Sequence, residues 1–446
     1  MNTSIEFINH ACVIIKSDEV SLLSDPWFEG DAFHKGWNLL HETSELEIEK
    51  ILSKITHIWI SHEHPDHFSI LFFKKFKLRI IDQSIKILFQ ETKDKRVINF
   101  LKNQGIDCEE LTLNKKIYLT KTFSLTCIKD GFYDSALLIN SNNEKILNLN
   151  DCEINSQSRI DEVNSITENV DVLLTQFSFA AWKGGKNNKK WRSEAAKEKI
   201  ETMKKQIEGF KPKYIIPFAS FIYFSNIENN YLNDAINKPQ VVIDELKNLD
   251  SQIVVMKPND ILGGENQKIS NSEALNFWET KYNSINNKKL NYFEKIPYDE
   301  IFANFQIYSQ RIEKKNNFWL MRIIRIISPI SVFKPVIVEI LDLNINVEFD
   351  YLNKKFFQTD RKPQLSMKSE SLNFLFKNNF GFDTLTVNGC FEEKKKDGFV
   401  SSTKTLAIEN LNNLGIYISF KTLFNFEIIK LFLSRLYRVS KKLNPL

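Results

Sequence analysis

The residues most able to do chemistry stand in one string, His62-Glu63-His64-Pro65-Asp66-His67. It reads HxHxDH and packs four metal-ligand side chains into a span of six residues. Imidazole nitrogen and carboxylate oxygen suit zinc, and equally iron or manganese. A bound divalent ion lowers the pKa of its water from ~15.7 to ~7, and two neighbouring ions hold both attacking and leaving oxygens. All seven histidines of the 446-residue chain lie at or before residue 67, so any later ligand must be of another type.

Several elements must position these groups. Ile55 to Ser61 (ITHIWIS) is β-branched and aromatic and reads as a buried strand. Side chains alternate along a strand, so His62 and His64 leave its end on one side. Pro65 steers His64 away from helix and redirects the chain before the helix-like apolar run Phe68 to Phe76. Ser44 and Glu47 form a capping box at the start of a helix over Ser44 to Lys54. Further strands are predicted over Lys145 to Leu149, just before Asp151, over Val170 to Phe177, and over Tyr214 to Ile216.

With its flanks, the motif resembles the metallo-β-lactamase family, and one branch of it in particular. IEFINHACVII, Ser24 to Glu42 (SDPWFEGDAFHKGWNLLHE), ISHEHPDHFS, KDGFYDSALLI, EKILNLNDCEIN and YIIPFASF are similar to the lactamase-like part of CMP-N-acetylneuraminate hydroxylase. The resemblance spans roughly residues 4–265 and implies a four-layer αββα sandwich with its metal site at one edge. It implies His62, His64, Asp66 and His67 as ligands, with Asp151 as the bridging carboxylate. Asp130 is the candidate for the position of the family's third histidine, with Asp134 as second choice. Pro217-Phe218-Ala219 stands where a final histidine would be, so the second metal position is expected to be oxygen-rich. Asp66 is also expected to accept the nucleophile's proton. His10 and Asp25 are expected beside the ligands, and Trp37 and His41 on a substrate-facing segment. The hydroxylase also carries a Rieske cluster, which needs paired Cys and His motifs. The five cysteines here stand singly, so oxygen chemistry would draw electrons from a separate Rieske or ferredoxin partner.

The segment Lys183 to Arg192 holds five basic residues in ten, including Lys186 and Lys190. It is expected to be a mobile loop that takes an anionic substrate. Net charge of +4 is too mild to point to nucleic acid. Single cysteines suit a reducing cytoplasm. No apolar run reaches membrane-spanning length, and no signal region opens the sequence. Neither a GxSxG elbow nor a phosphate loop competes with the metal motif.

These observations predict an α/β chain: a metallo-β-lactamase sandwich over 1–265, a linker over 266–290, a smaller α+β domain over 291–425, and a basic amphipathic helix over 426–446. The third part faintly resembles a sterol-carrier module, and residues 426–443 are expected to touch the body or an anionic membrane surface. The expected activity is hydrolysis by a metal-bound hydroxide of an anionic sugar or nucleotide-sugar. One or two ions would serve it, zinc first, with iron or manganese as alternatives. The other readings are an oxygenase subunit and a catalytically silent binding protein.

Overall fold

A computed structural model describes residues 2–17, 19–131 and 133–420. It divides the chain into two compact units, one of residues 1–292 with 387–389, the other of residues 293–386 with 390–446.

The first unit holds two seven-stranded sheets. One runs Ile261–Leu262, Ser4–Asn9, Cys12–Ser17, Val20–Ser24, His57–Ile60, Lys86–Gln90, Cys108–Leu111 in spatial order. The other runs Gln252–Ile253, Tyr214–Phe218, Val172–Gln176, Glu144–Asn148, Ser135–Ser141, Phe123–Lys129, Lys116–Tyr118. Alternation decides which layer each side chain joins. Val13 and Ile15 face the second sheet, where they join Leu125, Leu137 and Leu147. Ile14 and Ile58 point the other way, against Ile48, Leu52 and Phe73 of the outer helices. Because both faces are covered, these strands are apolar throughout rather than alternating. The expected αββα order follows.

In each sheet, parallel strands end along one edge. Val20–Ser24, His57–Ile60 and Lys86–Gln90 are parallel neighbours, as are Glu144–Asn148, Val172–Gln176 and Tyr214–Phe218. Loops that leave the carboxyl ends of parallel strands converge, which makes this edge the natural place for a site. Three of these ends turn through left-handed residues that are not glycine: Asp25 (φ 38°), Asn150 (φ 47°) and Ala219 (φ 45°). Such geometry costs on the order of 1–3 kcal/mol per residue and persists where the surroundings enforce it.

Residues 266–290 are not a linker. They hold the helix Asn271–Asn283, whose Trp278 is fully buried, stacks on Phe221 at 4.0 Å and donates its indole N–H to Met256 O at 2.8 Å. The polar, Asn-rich face of this helix conceals one anchoring indole, and the boundary falls at Tyr292 instead.

The second unit is α+β, as expected. Its five-stranded sheet runs Lys355–Gln358, Ile345–Asp350, Val336–Ile340, Leu365–Met367, Glu392–Glu393. Phe305 of the helix Tyr298–Lys315 and Phe376 of the helix Ser369–Lys377 pack edge-on with Phe349 of the sheet, at 5.1–5.9 Å between rings. The expected helix over 426–446 lies outside the described residues.

Candidate metal centre

The strand His57–Ile60 ends at Ser61, and from there His62, Asp66 and His67 are each oriented by a buried hydrogen bond. Asp25 receives the Ser61 backbone N–H at 2.8 Å on Oδ1, and the Ser61 hydroxyl at 2.8 Å and His67 Nδ1 at 2.9 Å on Oδ2. Three donors around one carboxylate favour its ionised form, against burial that pushes the Asp25 pKa up. These contacts also settle tautomers. His67 carries its proton on Nδ1, so Nε2 faces the centre as a lone pair in the neutral ring. The Ser61 hydroxyl, having given its proton to Asp25, accepts from His62 Nδ1 at 3.0 Å. His62 therefore also turns an unprotonated Nε2 inward. Burial, then His67 and His64, holds the His62 pKa well below its ordinary value. Carboxylate–histidine pairs of this kind fix ligand orientation and raise basicity.

The inward atoms form three overlapping groups suited to a cation, His62 with His64 and Asp134, His62 with His67 and Asp151, and His10 with Asp66 and His67, each with ligand atoms within 4.8 Å of one another. In the first, His62 Nε2 lies 2.9 Å from His64 Nδ1 and 3.6 Å from Asp134 Oδ1. In the second, His67 Nε2 lies 3.5 Å from Asp151 Oδ2, and in the third it lies 3.4 Å from Asp66 Oδ2. His62 and His67 each belong to two of these groups, which joins all three. Asp151 is held from behind by Gln176, whose Nε2 donates to Oδ1 at 3.0 Å, and Gln176 accepts from Lys199 at 2.7 Å.

The donor set fits divalent metal ions. His67 Nε2 and Asp66 Oδ1 are buried without a hydrogen-bond partner, a costly state for polar atoms unless something satisfies them. Burial opposes a charge on His67, yet Asp66, Asp25 and Asp151 outweigh it and push its pKa well above the ordinary range. Negative charge has been gathered here, and a positive charge is needed to offset it.

His10 falls in the third group, yet it turns a proton rather than a lone pair toward Asp66. Its Nδ1 accepts the Phe221 backbone N–H at 3.2 Å, so the neutral ring carries its proton on Nε2, which faces Asp66 Oδ2 at 3.4 Å. His10 thus orients Asp66. The Ala219 backbone N–H donates to His10 O at 2.9 Å, so the strand end that lacks a histidine is tied to this one.

Other expectations are corrected. Asp130 lies outside the ligand groups, because Arg159 of the helix Gln157–Thr167 takes its Oδ1 at 3.3 Å. Asp134, at the start of the next strand, is in its place. Loss of solvent raises the Asp134 pKa to about 6, although 28% of the side chain remains accessible. Trp37 is core, packed on Phe33 at 4.5 Å and Phe224 at 5.8 Å. His41 lines a separate small cavity with Glu6, Glu47 and Lys54. Lys190 is 88% exposed beside Glu194, and Lys186 sits over the Tyr231 ring at 5.9 Å.

The cavity at the centre, about 360 Å³, is lined by His64, Tyr133, Asp134 and Asp151, and its cations are Lys183 and Lys199. Nor is the basic segment loose. Arg192, 1% exposed, pairs with Asp234 through two contacts of 2.8 Å and donates to Gly184 O, Gly185 O and Lys186 O. Sequence reasoning passed over Ser61, Arg192, Lys199 and Gln176. Only Ser61 had a local signal, a hydroxyl directly before the motif.

Residues 4–120 match the family model described as a beta-lactamase superfamily domain. The cytidine monophosphate-N-acetylneuraminic acid hydroxylase of Mus musculus is 27% identical over 273 residues, covering 57% of this chain and 45% of its own. That of Danio rerio is 25% identical over 255 residues, covering 53% and 41%. The chain thus spans about half the length of these curated relatives or less. Among solved structures, CmlA, a diiron beta-hydroxylase from Streptomyces venezuelae, aligns at 13% identity and TM-score 0.41, covering 58% of this chain and 54% of its own. Igni18, a metallo hydrolase from Ignicoccus hospitalis, aligns at 12% and 0.42, covering 58% and 97%.

Proposed function

From the premise that residues 4–120 form a beta-lactamase superfamily domain, we propose that this protein is a metal-dependent hydrolase of a small anionic substrate. The observation that carries it is the clustering of His62, His64 and Asp134, of His62, His67 and Asp151, and of His10, Asp66 and His67, beside a cavity that His64, Asp134 and Asp151 line. Divalent ions bound there would supply Lewis acidity and a nucleophile from water at neutral pH.

The chain's own residues do the rest. Asp25 and Ser61 keep His62 and His67 in the tautomers that ligate. His10 holds Asp66 in place, and Asp66 is the group that receives the nucleophile's proton. Gln176 and Lys199 aim Asp151. Lys183 attracts a carboxylate or phosphate of the substrate to the cavity mouth, while Lys199 is held by Glu153 at 2.7 Å. Resemblance to the hydroxylases suggests a sugar or nucleotide-sugar acid.

One observation favours a second reading, an oxygenase fed by a separate electron carrier. The donor set holds three aspartates beside four imidazoles, and oxygen donors suit iron or manganese as well as zinc. Elemental analysis of untagged protein, followed by assay against phosphate-ester, lactone and amide panels, separates the two. Zinc with hydrolytic turnover supports the first. Iron with reductant-dependent oxygen uptake supports the second, and a protein that takes up no metal overturns both.

A further inference from the structure

His62 and Asp134 belong to one ligand group, with Nε2 and Oδ1 3.6 Å apart, yet they come from different sheets. His62 follows the strand His57–Ile60 of the first sheet, and Asp134 precedes the strand Ser135–Ser141 of the second. Neither strand by itself fixes the gap between them. A side chain that grips both segments can.

Gln90 ends the strand Lys86–Gln90, the parallel neighbour of His57–Ile60, and is fully buried. Its amide nitrogen donates to Ser61 O at 2.9 Å and also to Tyr133 O. The first of these carbonyls immediately precedes His62, and the second immediately precedes Asp134. The amide oxygen accepts from Lys129 Nζ at 2.9 Å, and Lys129 ends the strand Phe123–Lys129 of the second sheet. Two acceptor carbonyls and one donor ammonium leave a single orientation for the amide, with its nitrogen toward the carbonyls. Ser135, the cross-strand partner of Lys129, donates its hydroxyl to Ser61 O at 2.6 Å. The Ser61 carbonyl is therefore held from both sheets at once.

A buried amide costs free energy unless its hydrogen bonds are met, and an apolar side chain would fill the same space without that demand. What the glutamine adds is position. Its contacts are with the peptide units before two ligands and with Lys129, and it stands in none of the ligand groups itself.

We infer that Gln90, held by Lys129, is a positioning residue that sets the separation of His62 and Asp134 and with it the affinity of their group for a divalent ion. The inference rests on the metal-centre reading above. The test is competition between the full chain and a chromophoric chelator for zinc, or for iron or manganese where elemental analysis of the purified protein finds that ion instead. Gln90→Leu should weaken metal binding about 10- to 100-fold. In an Asp134→Asn background the same change should cost no more than about 3-fold, because one of the two positioned ligands is already lost. Ile87→Ala, in the buried apolar part of the same strand, separates position from general loosening: it should lower the melting temperature at least as far and leave metal affinity within about 2-fold. If Gln90→Leu does not fold, Lys129→Met carries the test, with an expected loss of about 5-fold that again shrinks beside Asp134→Asn. Unchanged affinity in the folded variant, or equal losses in both backgrounds, overturns the inference and leaves the metal centre standing. A parent that binds none of the three ions overturns the metal reading and the inference together.

Discussion

The edge of the first unit and the helix Phe318–Ile327 of the second break opposite rules of folding. At the edge, polar atoms that ought to be paired are buried and turned toward one another: His67 Nε2 faces two carboxylates at 3.4 and 3.5 Å. On the helix, apolar side chains that ought to be buried face outward, Ile326 at 80% exposure. Each is a local deficit that the described residues do not make good by themselves. The first calls for positive charge, the second only for removal from water. Departures from local consistency tend to mark function, and a polar departure names what is missing, where an apolar one, being non-directional, does not.

The largest break in this comparison is at the metal ligands. His62→Ala with His64→Ala should remove the first ligand group, with loss of bound metal by elemental analysis and a fall in any turnover of about 1,000-fold or more. Full metal retention would mean the edge is merely polar. Asp25→Asn comes next. It keeps the shape but weakens the hold on His67 and Ser61, so metal affinity should drop about 10- to 100-fold, measured by competition with a chelator.

A pH series sharpens the same side. Asp134 must be deprotonated to bind an ion, and its pKa is raised to about 6. The sign is fixed: below that value protons compete with metal, and affinity should fall by up to about ten-fold for each further pH unit. Dialysis at pH 7 and pH 5 with metal analysis reads this out, and Asp134→Asn should flatten the dependence. Asp130→Asn should leave metal content unchanged, since Arg159 holds that carboxylate.

The smallest effect belongs to the helix. Ile326→Asp should shift the urea midpoint by no more than about 0.5 kcal/mol equivalent, because an exposed side chain adds little to the fold. Phe376→Ala, in the core of the same unit, should cost about 3–5 kcal/mol. Similar costs for the two would erase the distinction between them.

How much of this was legible depended on the distance over which each interaction acts. The HxHxDH string, the strand before it, the Ser44–Glu47 capping box and Asp151 after its strand are local patterns, and the structure places all of them as read. Asp130 and Asp134 lie on the two sides of one hairpin turn, and spacing alone did not say which faces inward. Arg159, 29 residues on, decided it. Arg192 looked like one more charge in a basic run, and its burial depends on Asp234, 42 residues away. Trp278 sat in a polar stretch whose composition outweighed its one anchoring ring. His41 shares a resembling segment with Asp25, yet the chain turns between them.

The Arg192 clamp has a kinetic consequence. A buried guanidinium that holds a carboxylate and three successive carbonyls makes the segment that carries Lys183 part of the scaffold. On the proposed function, the cavity mouth is then expected to keep a constant width, with no loop-opening step in turnover. Selection would take place at entry, as in a sieve, and the rate of catalysis should not respond to added viscogen until diffusion of substrate itself becomes limiting.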